Sequence, residues 1–254
     1  MTTIDHSKPT VLFTHGTLMD SSMFDAQVAA IADTHNAVAL EFRANTDQYN
    51  TEYDLNDLAE DTIAAADSLG LDKFVLAGMS MGGFMGLELA LKHQDRLSGL
   101  VLIDTMARAY QPDQKVGFGE AFNPLDTDGP LPRSFGDWCV PLVFGPHTIS
   151  DNTELVDKWL QRWDERPARS VYREFKSWID KDDLTDRLHE ITVPTLIVHG
   201  RQDNVLPLVD CGIPLAESIP NNTFVIIEDS GHTSNAEQPE AVNRALVEFL
   251  ATLD

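Results

Sequence analysis

An apolar run at residues 74–77 leads directly into Gly78-Met79-Ser80-Met81-Gly82-Gly83, and helical periodicity follows over 83–93. Glycine, one residue, serine, one residue, glycine, set between a strand and a helix, admits few backbone paths. The turn forces the serine into strained geometry, so its neighbours must be small, and Gly78 and Gly82 meet that need. Ser80 is then expected to project above a sheet edge at a helix N-terminus, whose partial positive charge favours a developing oxyanion. A serine so placed is a nucleophile in waiting. Its hydroxyl needs a base to take the proton and an acid to orient that base.

The rest of the chain supplies a sheet on which such groups can meet. Apolar runs recur at 10–13, 37–42, 74–77, 100–103, 195–198 and 224–227, each bounded by turn residues. Near-continuous apolar strands are the pattern of a parallel sheet covered on both faces. Residues 23–32, 55–69, 83–93 and 239–250 carry apolar side chains three and four apart, as amphipathic helices do. The alternation predicts a doubly wound, mostly parallel α/β sheet of about six strands with right-handed crossovers.

One gap breaks the rhythm. Residues 108–189 carry no strand signal, so residues 1–107 and 190–254 are expected to form the core and 108–189 a helical insertion before the last two strands. Residues 111–147 are rich in Pro and Gly and read as loop and short turns. Helices are expected at 152–165, 168–181 and 183–190. All four tryptophans, Trp138, Trp159, Trp163 and Trp178, fall in the insertion. Such aromatics either line a pocket or form the insertion's own core. With Leu18, they are the candidate substrate contacts.

Of eight histidines, His232 stands where the base is needed, in Asp229-Ser230-Gly231-His232 after the last strand and before the last helix. His6 and His35 lie in polar segments expected to be exposed, while His199 ends the fifth strand. Asp203, in Gly200-Arg201-Gln202-Asp203 after that strand, is the expected acid. Asp104 after the fourth strand is its rival, otherwise read as a cap on the start of the insertion. The oxyanion donors are expected to be the backbone N–H of Met81 and that of Thr17 in His15-Gly16-Thr17-Leu18, with Leu18 as second choice. The Thr17 hydroxyl is a candidate third donor.

Composition narrows the partners. The 254 residues are 43% hydrophobic and 23% charged, an ordinary globular balance. Cys139 and Cys211 are too few for a disulfide scaffold and lack metal-site spacing, so they read as small buried hydrophobes. No metal or organic cofactor is expected. The formal net charge is −23, with 27 Asp, 14 Glu and only seven Lys, which disfavours nucleic acid and anionic membranes as partners. That surface fits strong solvation, with adaptation to salt as the sharper alternative. No run approaches a membrane span and the N-terminus lacks a signal-peptide pattern, so a cytoplasmic location is expected.

Together these residues resemble the α/β-hydrolase superfamily. Residues 71–83 with Leu102-Ile103-Asp104-Thr105, and residues 231–241, look closest to the 3-oxoadipate enol-lactonase branch and its esterase relatives. The resemblance implies Ser80 as nucleophile, Asp203 as acid, His232 as base, Met81 and Thr17 as oxyanion donors, and residues 108–189 as a cap. Two departures stand out. The segment Glu41-Phe42-Arg43-Ala44-Asn45 keeps an arginine but lacks the glycines usual in relatives, and the two strands that usually precede the first one here are expected to be missing or vestigial.

The implied activity is hydrolysis of small carboxylic esters or lactones through an acyl-enzyme. The alternative is 3-oxoadipate enol-lactone hydrolysis, whose carboxylate would need a local arginine such as Arg43, Arg108 or Arg133. Perhydrolase, thioesterase and carbon–carbon hydrolase chemistry use the same groups, and a silent ligand-binding module would lack one of them.

Overall fold

The protein, seen in a computed structural model that describes residues 4–253, is built on one six-stranded parallel sheet. The strands are β1 (Thr10–Thr14), β2 (Asn36–Leu40), β3 (Phe74–Met79), β4 (Leu97–Ile103), β5 (Thr195–Gly200) and β6 (Asn222–Ile227), in the order β2-β1-β3-β4-β5-β6. All six expected strands are present. β1, β3 and β5 are buried along their whole length, whereas the edge strands β2 and β6 are half-open. The continuous apolar runs thus reflect burial on both faces. Residues 1–3 of the segment read as lacking a signal peptide, and Asp254, lie outside the described residues.

Helices α1 (Asp25–Ile31), α2 (Leu55–Ser68) and α3 (Met81–His93) connect the first four strands. The order of strands steps one way from β1 to β2 and the other way from β3 onward. Right-handed crossovers therefore put α1 on one face and α2 with α3 on the other. β1 pairs with β3 from Val11↔Val75 to Thr14↔Gly78, so the loops after β1 and β3 leave the sheet side by side. The strand order reverses at this point, where α/β sheets bind ligands.

The segment between β4 and β5 is more helical than its composition suggests. It holds α4 (Pro112–Phe122), α5 (Arg133–Val143), α6 (Pro146–Asp151), α7 (Thr153–Asp164) and α8 (Ala168–Trp178). The expectation of loop over 111–147 is corrected: α4 and α5 occupy most of it. Pro112 and Pro146 sit in the first turn of their helices and Pro132 caps α5, positions where a missing N–H costs nothing. The Gln111 and Gln114 side chains also close a reciprocal cap on α4. The expected helix at 183–190 is a 3₁₀ turn, Thr185–Glu190. After β5 come α9 (Gly212–Ser218), then β6, α10 (Ser234–Glu237) and α11 (Pro239–Leu250). His35 is buried, not exposed; it lies at the turn from α1 into β2, where its N–H bonds to the Ile31 carbonyl.

No helix among the described residues is long and apolar enough to cross a membrane.

Candidate active site

Ser80 sits between β3 and α3 with φ 51° and ψ −114°, a conformation that L residues rarely hold. The turn is fastened on both sides. The Ser80 N–H donates to the Ile103 carbonyl at 2.9 Å, and its own carbonyl accepts from the Thr105 hydroxyl at 3.0 Å and the Phe84 N–H at 2.9 Å. Space around it is tight. A Cβ on Gly78 would collide with the Gly82 carbonyl, and one on Gly82 with the carbonyl of Thr14 in β1. The two glycines are therefore demanded by close backbone approach, as the motif suggested.

His232, in the loop between β6 and α10, reaches this hydroxyl. Its Nε2 lies 2.9 Å from Ser80 Oγ, and its Nδ1 lies 2.7 Å from Asp203 Oδ2. A carboxylate can only accept from Nδ1, so the proton sits there and Nε2 offers its lone pair to the serine O–H. Asp203 is held in turn, because its Oδ1 accepts from the N–H groups of Val205 (2.9 Å) and Leu206 (2.8 Å). All three side chains are buried. Burial alone would raise the Asp203 carboxyl, but the charge and hydrogen bonds of His232 and His199 hold it below the usual carboxylate range.

Asp104, the rival acid, serves elsewhere. Its Oδ1 accepts from the Gly200 N–H at 2.7 Å and its Oδ2 from the Ser234 N–H at 2.8 Å. It is not a cap on the insertion; it ties the end of β5 to the start of α10, the two places from which Asp203 and His232 depart. His199 Nε2 donates to the Leu206 carbonyl at 2.7 Å and lies 3.4 Å from Asp203 Oδ2. Asp104, His199 and Asp203 bring three possible metal-ligand atoms within 4.8 Å of one another. The hydrogen bonds just described account for that buried cluster.

The loop after β1 is fixed through His15. The Phe42 N–H donates to His15 Nε2 at 3.1 Å, so Nδ1 carries the proton and donates to the Gly16 carbonyl at 2.9 Å. Of the two candidate donors in this loop, Leu18 is ruled out: its N–H is taken by Glu174 Oε2 at 3.0 Å. The Thr17 hydroxyl is turned to the Met81 thioether, 3.7 Å away. The altered segment after β2 forms a 3₁₀ turn, Arg43–Asn45, in which Asn45 Nδ2 donates to the Met19 carbonyl at 2.9 Å and braces the same loop.

A narrow cavity of about 60 Å³ opens at Ser80 and His232. Thr17 and Leu18 line it, as do Phe84, Tyr110, Phe118, Phe122, Val205 and, from α5, Trp138, Cys139, Leu142 and Val143. Trp178 of α8 completes the wall, and its buried indole N–H has no hydrogen-bond partner. The tryptophans thus divide. Trp138 (44% exposed) and Trp178 face the cavity, whereas Trp159 (1%) and Trp163 (0%) are buried and do not line it. None of Arg43, Arg108 and Arg133 lines the cavity. Arg43 is paired with Asp61 and Arg133 with Asp137 and Asp164, while Arg108 bonds Gln114.

Sequence reading missed two buried carboxylates. Glu174 lies on the apolar stripe of α8 with Val171, Phe175 and Trp178, and a charge on such a stripe is itself a signal. Glu237 accepts from the N–H groups of Gly231 (3.0 Å) and Thr233 (3.2 Å), on either side of His232, and from the Gly145 N–H (2.7 Å) and the Thr148 hydroxyl (2.6 Å). It holds the histidine loop against the insertion.

The sequence model described as alpha/beta hydrolase fold matches residues 9–239. The chain is 28% identical over 240 residues to 3-oxoadipate enol-lactonase 1 of Acinetobacter baylyi, covering 91% of this chain and 85% of that protein. A thermophilic esterase from Thermogutta terrifontis superposes with a TM-score of 0.91 at 29% identity, covering 99% of this chain and 92% of the other. The enol-lactonase from Burkholderia xenovorans superposes with a TM-score of 0.87 at 24% identity, over 98% of this chain and 94% of the other, a likeness of fold.

Proposed function

The chain belongs to the alpha/beta hydrolase family, and from that premise we propose that it cleaves small uncharged carboxylic esters or lactones through an acyl-enzyme on Ser80. The observation that carries this reading is the unbroken relay from Ser80 Oγ through His232 to Asp203, with spacings of 2.9 and 2.7 Å, at the floor of a cavity. Ser80 Oγ attacks the carbonyl carbon while His232 Nε2 takes its proton. The carbonyl oxygen gains a negative charge, which the N–H groups of Met81 and Thr17 stabilise. Asp203 keeps the imidazole oriented and balances the imidazolium as it forms. His232 gives its proton to the departing alcohol. It then takes a proton from water, whose oxygen attacks the acyl carbon; the bond from that carbon to Ser80 Oγ breaks, His232 returns the proton to Oγ, and the acid leaves.

The lining supports the uncharged substrate over a dicarboxylate-derived lactone. Among the described residues no Lys or Arg lines the cavity, and the three arginines considered for that task are engaged elsewhere. A net charge of −23 also repels an anionic substrate at long range. On this reading residues 108–189 form a cap whose α4, α5 and α8 supply half of the residues that line the pocket.

Hydrolysis of matched esters tests it. A neutral aryl acetate is expected to turn over with a kcat/KM roughly tenfold or more above that of an aryl hemisuccinate of similar reactivity. The reverse order would overturn the preference for neutral substrates, and turnover of neither would overturn the hydrolase reading.

A further inference from the structure

Leu18 is gripped from both sides by the segment between β4 and β5. Its φ of 68° is a left-handed conformation that a γ-branched residue does not hold unaided. Its N–H donates to Glu174 Oε2 of α8 at 3.0 Å, and its carbonyl accepts from the Trp163 indole N–H of α7 at 2.8 Å. Glu174 is fully buried, and its Oε1 lies 3.0 Å from the Arg166 guanidinium. Trp163 is fully buried as well.

Three successive peptide planes are thereby fixed. The plane joining Gly16 and Thr17 is set by His15 Nδ1–H and the Met19 N–H on the Gly16 carbonyl, at 2.9 and 3.2 Å. The next is set by Glu174 and the third by Trp163. The Thr17 N–H belongs to the first plane and points away from the Gly16 carbonyl. The Met19 N–H that pins the Gly16 carbonyl lies in the third plane, so the aim of the Thr17 N–H depends on the second and third planes staying in place.

We propose that Glu174 and Trp163 are positioning residues that hold the oxyanion hole in its working shape, so that the insertion builds part of the reaction centre as well as covering it. The inference rests on the hydrolase reading above. A carboxylate suits the task because its charge-assisted bond to the Leu18 N–H is strong. Arg166 offsets that charge, so the pair does not oppose the oxyanion. The two contacts act on the transition state alone, because only there does the carbonyl oxygen carry the charge that the Thr17 N–H must meet.

The test compares Trp163→Phe, which keeps the ring and removes the donor, with the double variant Glu174→Gln/Arg166→Met, which leaves no buried charge unpaired. Each is measured with p-nitrophenyl acetate, and by inhibition with a short trifluoromethyl ketone and the matching methyl ketone. Ser80 Oγ adds to the fluoroketone carbon, its proton passes to His232, and the resulting oxyanion occupies the hole. Each variant is expected to lose roughly tenfold in kcat and in fluoroketone affinity, with methyl ketone affinity and melting temperature near wild type. Two folded variants with kcat within twofold of wild type would overturn the proposal, as would equal loss of affinity for both ketones. A wild type that neither turns over the ester nor binds the fluoroketone would overturn the hydrolase reading, and the clamp with it.

Discussion

The Nδ1 of His232 lies 2.7 Å from Oδ2 of Asp203, with both side chains buried. Burial pushes the imidazole pKa down, but the charge and hydrogen bond of Asp203 outweigh it and raise the pKa above the 6.5 of an unperturbed histidine. Only the neutral imidazole can take the proton of Ser80. Activity is therefore expected to fall as the pH drops through that raised value, with an acid limb in kcat/KM centred above 6.5. A pH–rate profile reads it directly.

Removing the charge reverses the sign. Asp203→Asn deletes the group that raises His232 and presents an amide where a pure acceptor is needed. The acid limb is expected to move to lower pH, and kcat to fall by roughly three to four orders of magnitude as the wrong tautomer is favoured.

On the proposed mechanism the acyl group enters the narrow cavity at Ser80. About 60 Å³ holds on the order of five waters, and aromatic rings close most of its sides. Among p-nitrophenyl esters, kcat/KM is expected to peak at two to four acyl carbons, on the order of the room available, and to fall at least tenfold by eight. Trp138→Ala, which removes a half-exposed ring from the wall, is expected to flatten that decline.

Thr17 contributes its backbone on this account. Its hydroxyl faces the Met81 thioether at 3.7 Å, a weak contact, so Thr17→Val is expected to change kcat by less than about threefold. A loss nearer the roughly hundredfold of a deleted oxyanion donor would assign the hydroxyl a direct part.

Glu237 is a matter of stability and placement together. Glu237→Ala strands the buried N–H groups of Gly145, Gly231 and Thr233. The expected cost is about 3 kcal/mol or more, a fall of roughly 10 °C in melting temperature, with kcat reduced because the His232 loop loosens. Thermal unfolding followed by kinetics at a permissive temperature separates the two effects.

The sheet and the relay were legible for one physical reason. Strands buried on both faces leave continuous apolar runs, and Ser80, Asp203 and His232 each follow such a run at the same edge. What resisted reading was context that only three dimensions supply. Pro112, Pro132 and Pro146 look like breakers in one dimension, yet they sit where helices begin. Trp159 and Trp163 share the composition of a pocket wall but are buried away from the cavity, because α7 presents them inward, and the Trp163 indole N–H is spent on the Leu18 carbonyl. Glu174 was overlooked although its place among Val171, Phe175 and Trp178 marks a charge on a buried stripe, which must have a partner.

The most direct test traps the covalent intermediate. After rapid acid quench of the protein with p-nitrophenyl acetate, mass spectrometry is expected to find one acetyl group on the peptide that carries Ser80, formed as fast as the burst of p-nitrophenol. The modification should be absent from Ser80→Ala, which should stay folded because it keeps the Cβ and removes only the hydroxyl that bonds His232. Steady turnover by Ser80→Ala, or acetyl carried in the burst on a different residue, would contradict the account.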